Sequence, residues 1–137
     1  MKTVFGERVS EGELQIMDTL WTADHPLTRG EIVEMTPDRT WKERSFYILI
    51  NSMIRKGIVL ENPPGTDGMN SVYTFYPAIS LQEYCILQLR SIPDYSAKSL
   101  PGIIAGLLEG NESPELLDAM EEVLRQKRLS MEGRSAS

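Results

Sequence analysis

The sequence predicts a mainly α-helical fold with one small β-hairpin and a further helical region behind it. Three observations predict it. A hydroxyl residue followed three positions later by glutamate, a start signal in which each side chain satisfies an orphan amide of a helix's first turn, recurs at Ser10/Glu13, Thr28/Glu31, Thr40/Glu43 and Ser80/Glu83. Apolar residues after those signals repeat at helical spacing. A single β-branched and aromatic pair of segments flanks a Pro/Gly-rich loop. With 137 residues, 41% apolar and 25% charged, the chain can bury one small core but leaves it little surplus stability.

After Ser10, Leu14, Met17, Leu20 and Trp21 set a first helix over 11–22, stopped near Asp24-His25-Pro26. A short second helix over 29–36 is expected to turn Ile32, Val33 and Met35 largely inward and to end before Pro37, whose ring disfavours helical geometry in its predecessor. The connection Thr36-Pro37-Asp38-Arg39 leads to Thr40 and a third helix over 41–56, with Phe46, Leu49, Ile50 and Met53 inward and Gly57 as its stop. Ile58-Val59-Leu60-Glu61 and Ser71-Val72-Tyr73-Thr74-Phe75-Tyr76 then form a hairpin whose tip lies between Asn62 and Asn70. Three helices, the last two joined by a tight turn, followed by a hairpin make a winged helix-turn-helix over 9–78.

A fourth helix over 80–92 places Leu81, Tyr84, Cys85, Leu89 and Ile92 on one side, with Cys85 read as a small buried hydrophobe. Leu100 to Leu108 forms a fifth, and Ser113-Pro114-Glu115 opens a sixth running to about Arg128. The expected organisation is a winged-helix domain at 1–79, a helical dimerisation region at 80–128 and a disordered tail at 129–137. Residues 96–128 are too few for a core of their own. A two-fold dimer would bury their stripes, with Leu100, Ile103, Ile104, Leu107, Leu108, Leu116, Leu117, Met120, Val123 and Leu124 as the contact residues.

Net charge is −6, yet Arg39, Lys42, Arg44, Arg55 and Lys56 stand against Glu43 alone in the third helix and its approach. The face opposite that helix's buried stripe carries Arg44, Tyr47 or Ile48, Asn51 and Arg55. In a major groove, arginine can chelate the guanine acceptors and asparagine can pair with adenine, while phosphates take Lys, Arg, Ser and Tyr donors. Arg44 and Asn51 are therefore the expected base readers. Arg39, Lys42, Ser45, Tyr47 and Arg55 are assigned to phosphate or register, and Thr40 to a phosphate near the helix's first amides. The wing tip has no Lys or Arg and carries Asp67.

Other chemistries find little support. The chain has no nucleophile elbow, phosphate-cradling glycine loop or paired Cys and His. One cysteine and one histidine exclude an intramolecular disulfide and leave too few soft ligands for structural zinc. Neither a cofactor nor a metal is expected. Trp21 and Trp41 read as packing aromatics, His25 as a loop residue, and Glu121-Glu122 as part of a solvated face. The opening residues lack the apolar run of a signal peptide, and no stretch is long enough to span a bilayer, so a cytoplasmic protein is expected.

The motif order carries a resemblance. Leu14-Gln15-Ile16-Met17-Asp18-Thr19-Leu20-Trp21, Pro26-Leu27-Thr28-Arg29-Gly30-Glu31-Ile32-Val33, Trp41 with Arg44-Ser45 and Lys56-Gly57, and Tyr73-Thr74-Phe75-Tyr76-Pro77 together resemble the penicillinase-repressor (BlaI/MecI/CopY) family over about 9–128. The resemblance implies a homodimeric winged-helix repressor on a palindromic operator, with the C-terminal helices forming the dimer. It also implies a sensor or protease that ends repression. Copper-responsive members need clustered cysteines, which this chain lacks, and Gly106-Leu107 stands where β-lactam-responsive members have their Asn-Phe cleavage site. The resemblance also implies a basic residue where this chain has Ser52 and a bulky β-branched one where it has Phe46.

Two functions remain open from the residues. One is a non-enzymatic, DNA-binding transcriptional repressor with duplex DNA and a second copy of the chain as partners. The other is a winged-helix protein-interaction module that has abandoned DNA.

Overall fold

The computed structural model describes residues 9–65 and 71–136. Residues 66–70 of the expected wing tip and the last residue of the expected tail lie outside the described residues. The chain forms two compact units, Met1–Tyr95 and Ser96–Ser137.

The first unit begins with α1 (Glu11–Thr22), β1 (Leu27–Thr28) and α2 (Arg29–Glu34), then a 3-10 turn (Glu43–Ser45) leading into α3 (Phe46–Arg55). The strands β2 (Val59–Asn62) and β3 (Thr74–Pro77) and the helix α4 (Leu81–Arg90) complete it. Capping boxes form at Ser10/Glu13, Thr28/Glu31 and Ser80/Glu83, each closed by the hydroxyl and the carboxylate reciprocally. Gly57 ends α3 with φ at 82°. That left-handed turn lets the amides of Gly57 and Ile58 donate to the carbonyls of Ile54 and Met53 at 3.0 and 3.1 Å.

The expected hairpin is present, and a third strand joins it. The sheet order is β1-β3-β2, all antiparallel, with Leu27 opposite Phe75 and Glu61 opposite Phe75 on the other side. Two residues are too short to show any strand periodicity, and Thr28 serves both as the last residue of β1 and as the cap of α2. The fold is a winged helix.

Its core joins Ile16, Met17 and Leu20 of α1 to Leu27, Ile32 and Val33, to Phe46, Ile50 and Met53 of α3, and to Ile58, Val59 and Phe75 of the sheet. Each fully buried side chain of this size contributes about 1.5–3 kcal/mol relative to exposure. The Trp21 indole N–H donates to the Ile79 carbonyl at 2.9 Å, and its ring packs against Tyr84 with centroids 5.5 Å apart. Those contacts fix the start of α4 against α1.

Several expectations require correction. The second helix stops at Glu34, and Met35 is 46% exposed instead of buried. The third helix has no Thr40/Glu43 capping box: the Thr40 amide and hydroxyl face Gln15 Oε1, at 3.0 and 3.4 Å. The 3-10 turn at Glu43–Ser45 therefore precedes the regular helix. Cys85 is exposed, because α4 turns Tyr84 and Leu87 towards its neighbours instead. α4 falls within the first compact unit, Met1–Tyr95.

The second unit holds a 3-10 turn (Ala97–Ser99), α5 (Leu100–Leu108) and α6 (Pro114–Ala136). The Ser113 hydroxyl accepts from the Leu116 amide at 3.0 Å, capping α6. This helix continues to Ala136, well beyond the expected end near Arg128. Glu122 and Arg125, bonded at 2.7 and 3.0 Å, support its exposed surface. No helix is long and apolar enough to cross a membrane among the described residues.

Candidate nucleic-acid interface

The turn between α2 and α3 is held from three sides. Arg39 Nη1 donates to the carbonyls of Val33 and Thr36 at 3.1 and 3.3 Å, adding to the backbone amides of Thr36 and Arg39 that those carbonyls also accept. Its guanidinium lies over Trp41, 5.5 Å from the ring centroid. The buried hydroxyls of Thr19 and Thr36 meet at 2.7 Å, tying the turn to α1. Gln15 holds Thr40 as described above.

Phe46 anchors the start of α3. It is fully buried and meets Trp41, Tyr47 and Phe75 at centroid distances of 6.2, 5.2 and 5.7 Å. With one face of α3 fixed inward by Phe46, Ile50 and Met53, the helical period turns Tyr47, Ile48, Asn51 and Arg55 outward, while Arg44, expected on the third helix, lies in the 3-10 turn that precedes it. All five are exposed, as is Lys42. Tyr47 is 53% and Ile48 74% exposed, so the face mixes cation, amide, phenol and one bare aliphatic group.

The candidate residues divide by environment. Lys42, Arg44, Tyr47, Asn51 and Arg55 are each exposed, with Arg55 Nη2 donating to Ser52 Oγ at 3.3 Å. Ser45 is half-buried in the 3-10 turn. Arg39, half-buried, is held by the Val33 and Thr36 carbonyls, and Thr40, itself exposed, by Gln15, so both act on the turn's geometry. Lys56, counted above with the basic segment, is bound to Glu13 at 2.7 Å. The positive surface is therefore narrower than the charge count implies.

Sequence reasoning missed Arg29. At the first position of α2, its Nη2 lies 3.2 Å from Glu43 Oε2, and its guanidinium carbon sits 5.7 and 6.0 Å from the ring centroids of Tyr47 and Phe46. The available signal was the isolation of Glu43: a single acid in a basic segment calls for a partner, and Arg29 is the one cation of α2.

In the second unit the proposed dimer residues lie on α5 and α6. Leu100, Leu107, Leu116, Leu117, Val123 and Leu124 are exposed, and Ile103, Ile104, Leu108 and Met120 are half-buried. None of its described side chains is buried. No group of three or more His, Cys, Asp or Glu capable of holding a metal occurs among the described residues.

Comparison with known proteins agrees with this architecture. The family model described as penicillinase repressor matches residues 9–126. A penicillinase repressor of Bacillus licheniformis is 23% identical over 127 residues, covering 88% of this chain and 95% of that protein.

Proposed function

This chain belongs to the penicillinase-repressor family of transcriptional regulators, and from that premise we propose that it works as a cytoplasmic homodimer occupying a palindromic operator. Each dimer presents two α3 helices to successive major grooves about one helical turn, roughly 34 Å, apart. Arg44 chelates guanine N7 and O6, and Asn51 pairs with adenine N6 and N7. Ile48 offers an apolar contact to a thymine methyl. Lys42, Ser45, Tyr47 and Arg55 bind phosphates, while Arg39 and Thr40 fix the register of the turn.

The observation that carries this reading is the exposure of Lys42 and Arg44 at the 3-10 turn leading into α3 and of Asn51 and Arg55 on the helix itself. Dimerisation through α5 and α6 is supported by the unburied leucines of the second unit. Repression is then steric occupation of a promoter. A sensor or protease relieves it.

The test is titration of a duplex from immediately upstream of the chain's own coding sequence at several salt concentrations. Affinity should fall with salt as counterions are released, and Arg44→Ala should weaken binding about tenfold or more. Binding indifferent to both would refute the assignment. No duplex binding at low salt would favour the protein-interaction module, the reading that the net charge of −6 supports.

A further inference from the structure

Glu43 is a liability for a helix that approaches DNA. It is the one acid between Arg39 and Lys56, it sits in the first turn leading into α3, and its side chain is 54% exposed. A bare carboxylate there would face the phosphates with like charge. The structure supplies its counterion from a different helix: Arg29 of α2, 3.2 Å away.

The same guanidinium also rests against the rings of Tyr47 and Phe46, at 5.7 and 6.0 Å. Phe46 is immobilised in the core and meets Tyr47 edge-on at 85°. Arg29 Nε is buried without a hydrogen-bond partner, a desolvation cost that the stacking and the ion pair must offset for the side chain to adopt this pose. Lysine could supply the charge but not the planar face.

We propose that Arg29 is a positioning residue for DNA recognition, neutralising Glu43 and bracing Tyr47 so that the first turn of the reading helix meets the duplex without a free carboxylate. This rests on the DNA-binding reading above. Arg29 acts through Glu43 and Tyr47, and its own contact with a phosphate is the competing account.

A double-substitution cycle separates the two. Binding of the same upstream duplex is measured for wild type, Arg29→Gln, Glu43→Gln and the double variant. Arg29→Gln should weaken binding about fivefold at low salt. Glu43→Gln should change wild-type affinity less than about twofold, yet restore most of the loss in the Arg29→Gln background. Melting curves check folding; if Arg29→Gln does not fold, Arg29→Met keeps the apolar packing on Phe46 and carries the same cycle. An equal effect of Glu43→Gln in both backgrounds overturns the proposal, as does wild-type affinity in Arg29→Gln. A wild-type protein that does not bind the duplex overturns the DNA-binding reading, and this inference with it.

Discussion

Glu13 and Lys56 join the first turn of α1 to the end of α3. Glu13 Oε1 accepts from the Ser10 amide at 2.8 Å and from Lys56 Nζ at 2.7 Å, with the two side chains only 3% and 11% exposed. One carboxylate thus completes a capping box and pairs a nearly buried ammonium. The pair fixes the C-terminal end of the reading helix from below, leaving its outward face to the solvent.

Glu13→Gln should destabilise the fold by about 3 kcal/mol at neutral pH, since it removes the carboxylate that pairs with the nearly buried Lys56 ammonium. Burial alone would raise the Glu13 carboxyl, but hydrogen bonds from Lys56, the Ser10 amide and Ser52, with the Lys56 charge, hold it below its ordinary value of 4.5. A depressed acid stabilises fully above that ordinary value, and the contribution is lost as pH falls through the lower, folded one. Urea denaturation should therefore show a constant gap between wild type and Glu13→Gln near neutrality that closes with acidification below about 4.5. A gap that widens in acid would contradict the pairing. Adding Lys56→Met should recover part of the loss.

Gly30→Ala should stabilise the protein by about 0.5 kcal/mol. Gly30 lies inside α2, its φ is not positive, and an added Cβ meets nothing within 4 Å. Alanine lowers the entropy of the unfolded chain and favours the helix. A rise in melting temperature is the expected readout; a fall would reveal a constraint that the local geometry does not contain.

Removing residues 96–137 should give a folded monomer with much weaker operator binding. The described core lies wholly within the first unit, so circular dichroism should retain the winged-helix signal. Sedimentation should give the monomer mass. A truncated protein that sediments as a dimer would place the contact elsewhere, and full operator affinity in the truncated form would remove dimerisation from the account.

Legibility followed how local each cause is. Ser10/Glu13, Thr28/Glu31 and Ser80/Glu83 could be read because a capping box is complete within four residues. Thr40/Glu43 has the same pattern but no box, because Gln15 and Arg29, distant in sequence, engage the two residues. The outward face of α3 was readable from its period. The commitment of Arg39 was not, since it depends on where the turn after α2 places the Val33 and Thr36 carbonyls and on the placement of Trp41. Cys85 was misread because apolar neighbours along a helix do not say which side finds a partner.

The most direct measurement is methylation protection of guanine N7 on the upstream duplex. N7 opens into the major groove and is the acceptor assigned to Arg44. The account predicts two protected sets of guanines about 10 base pairs apart, with protection at one position in each half lost in Arg44→Ala. Tight binding that leaves every N7 reactive would contradict it.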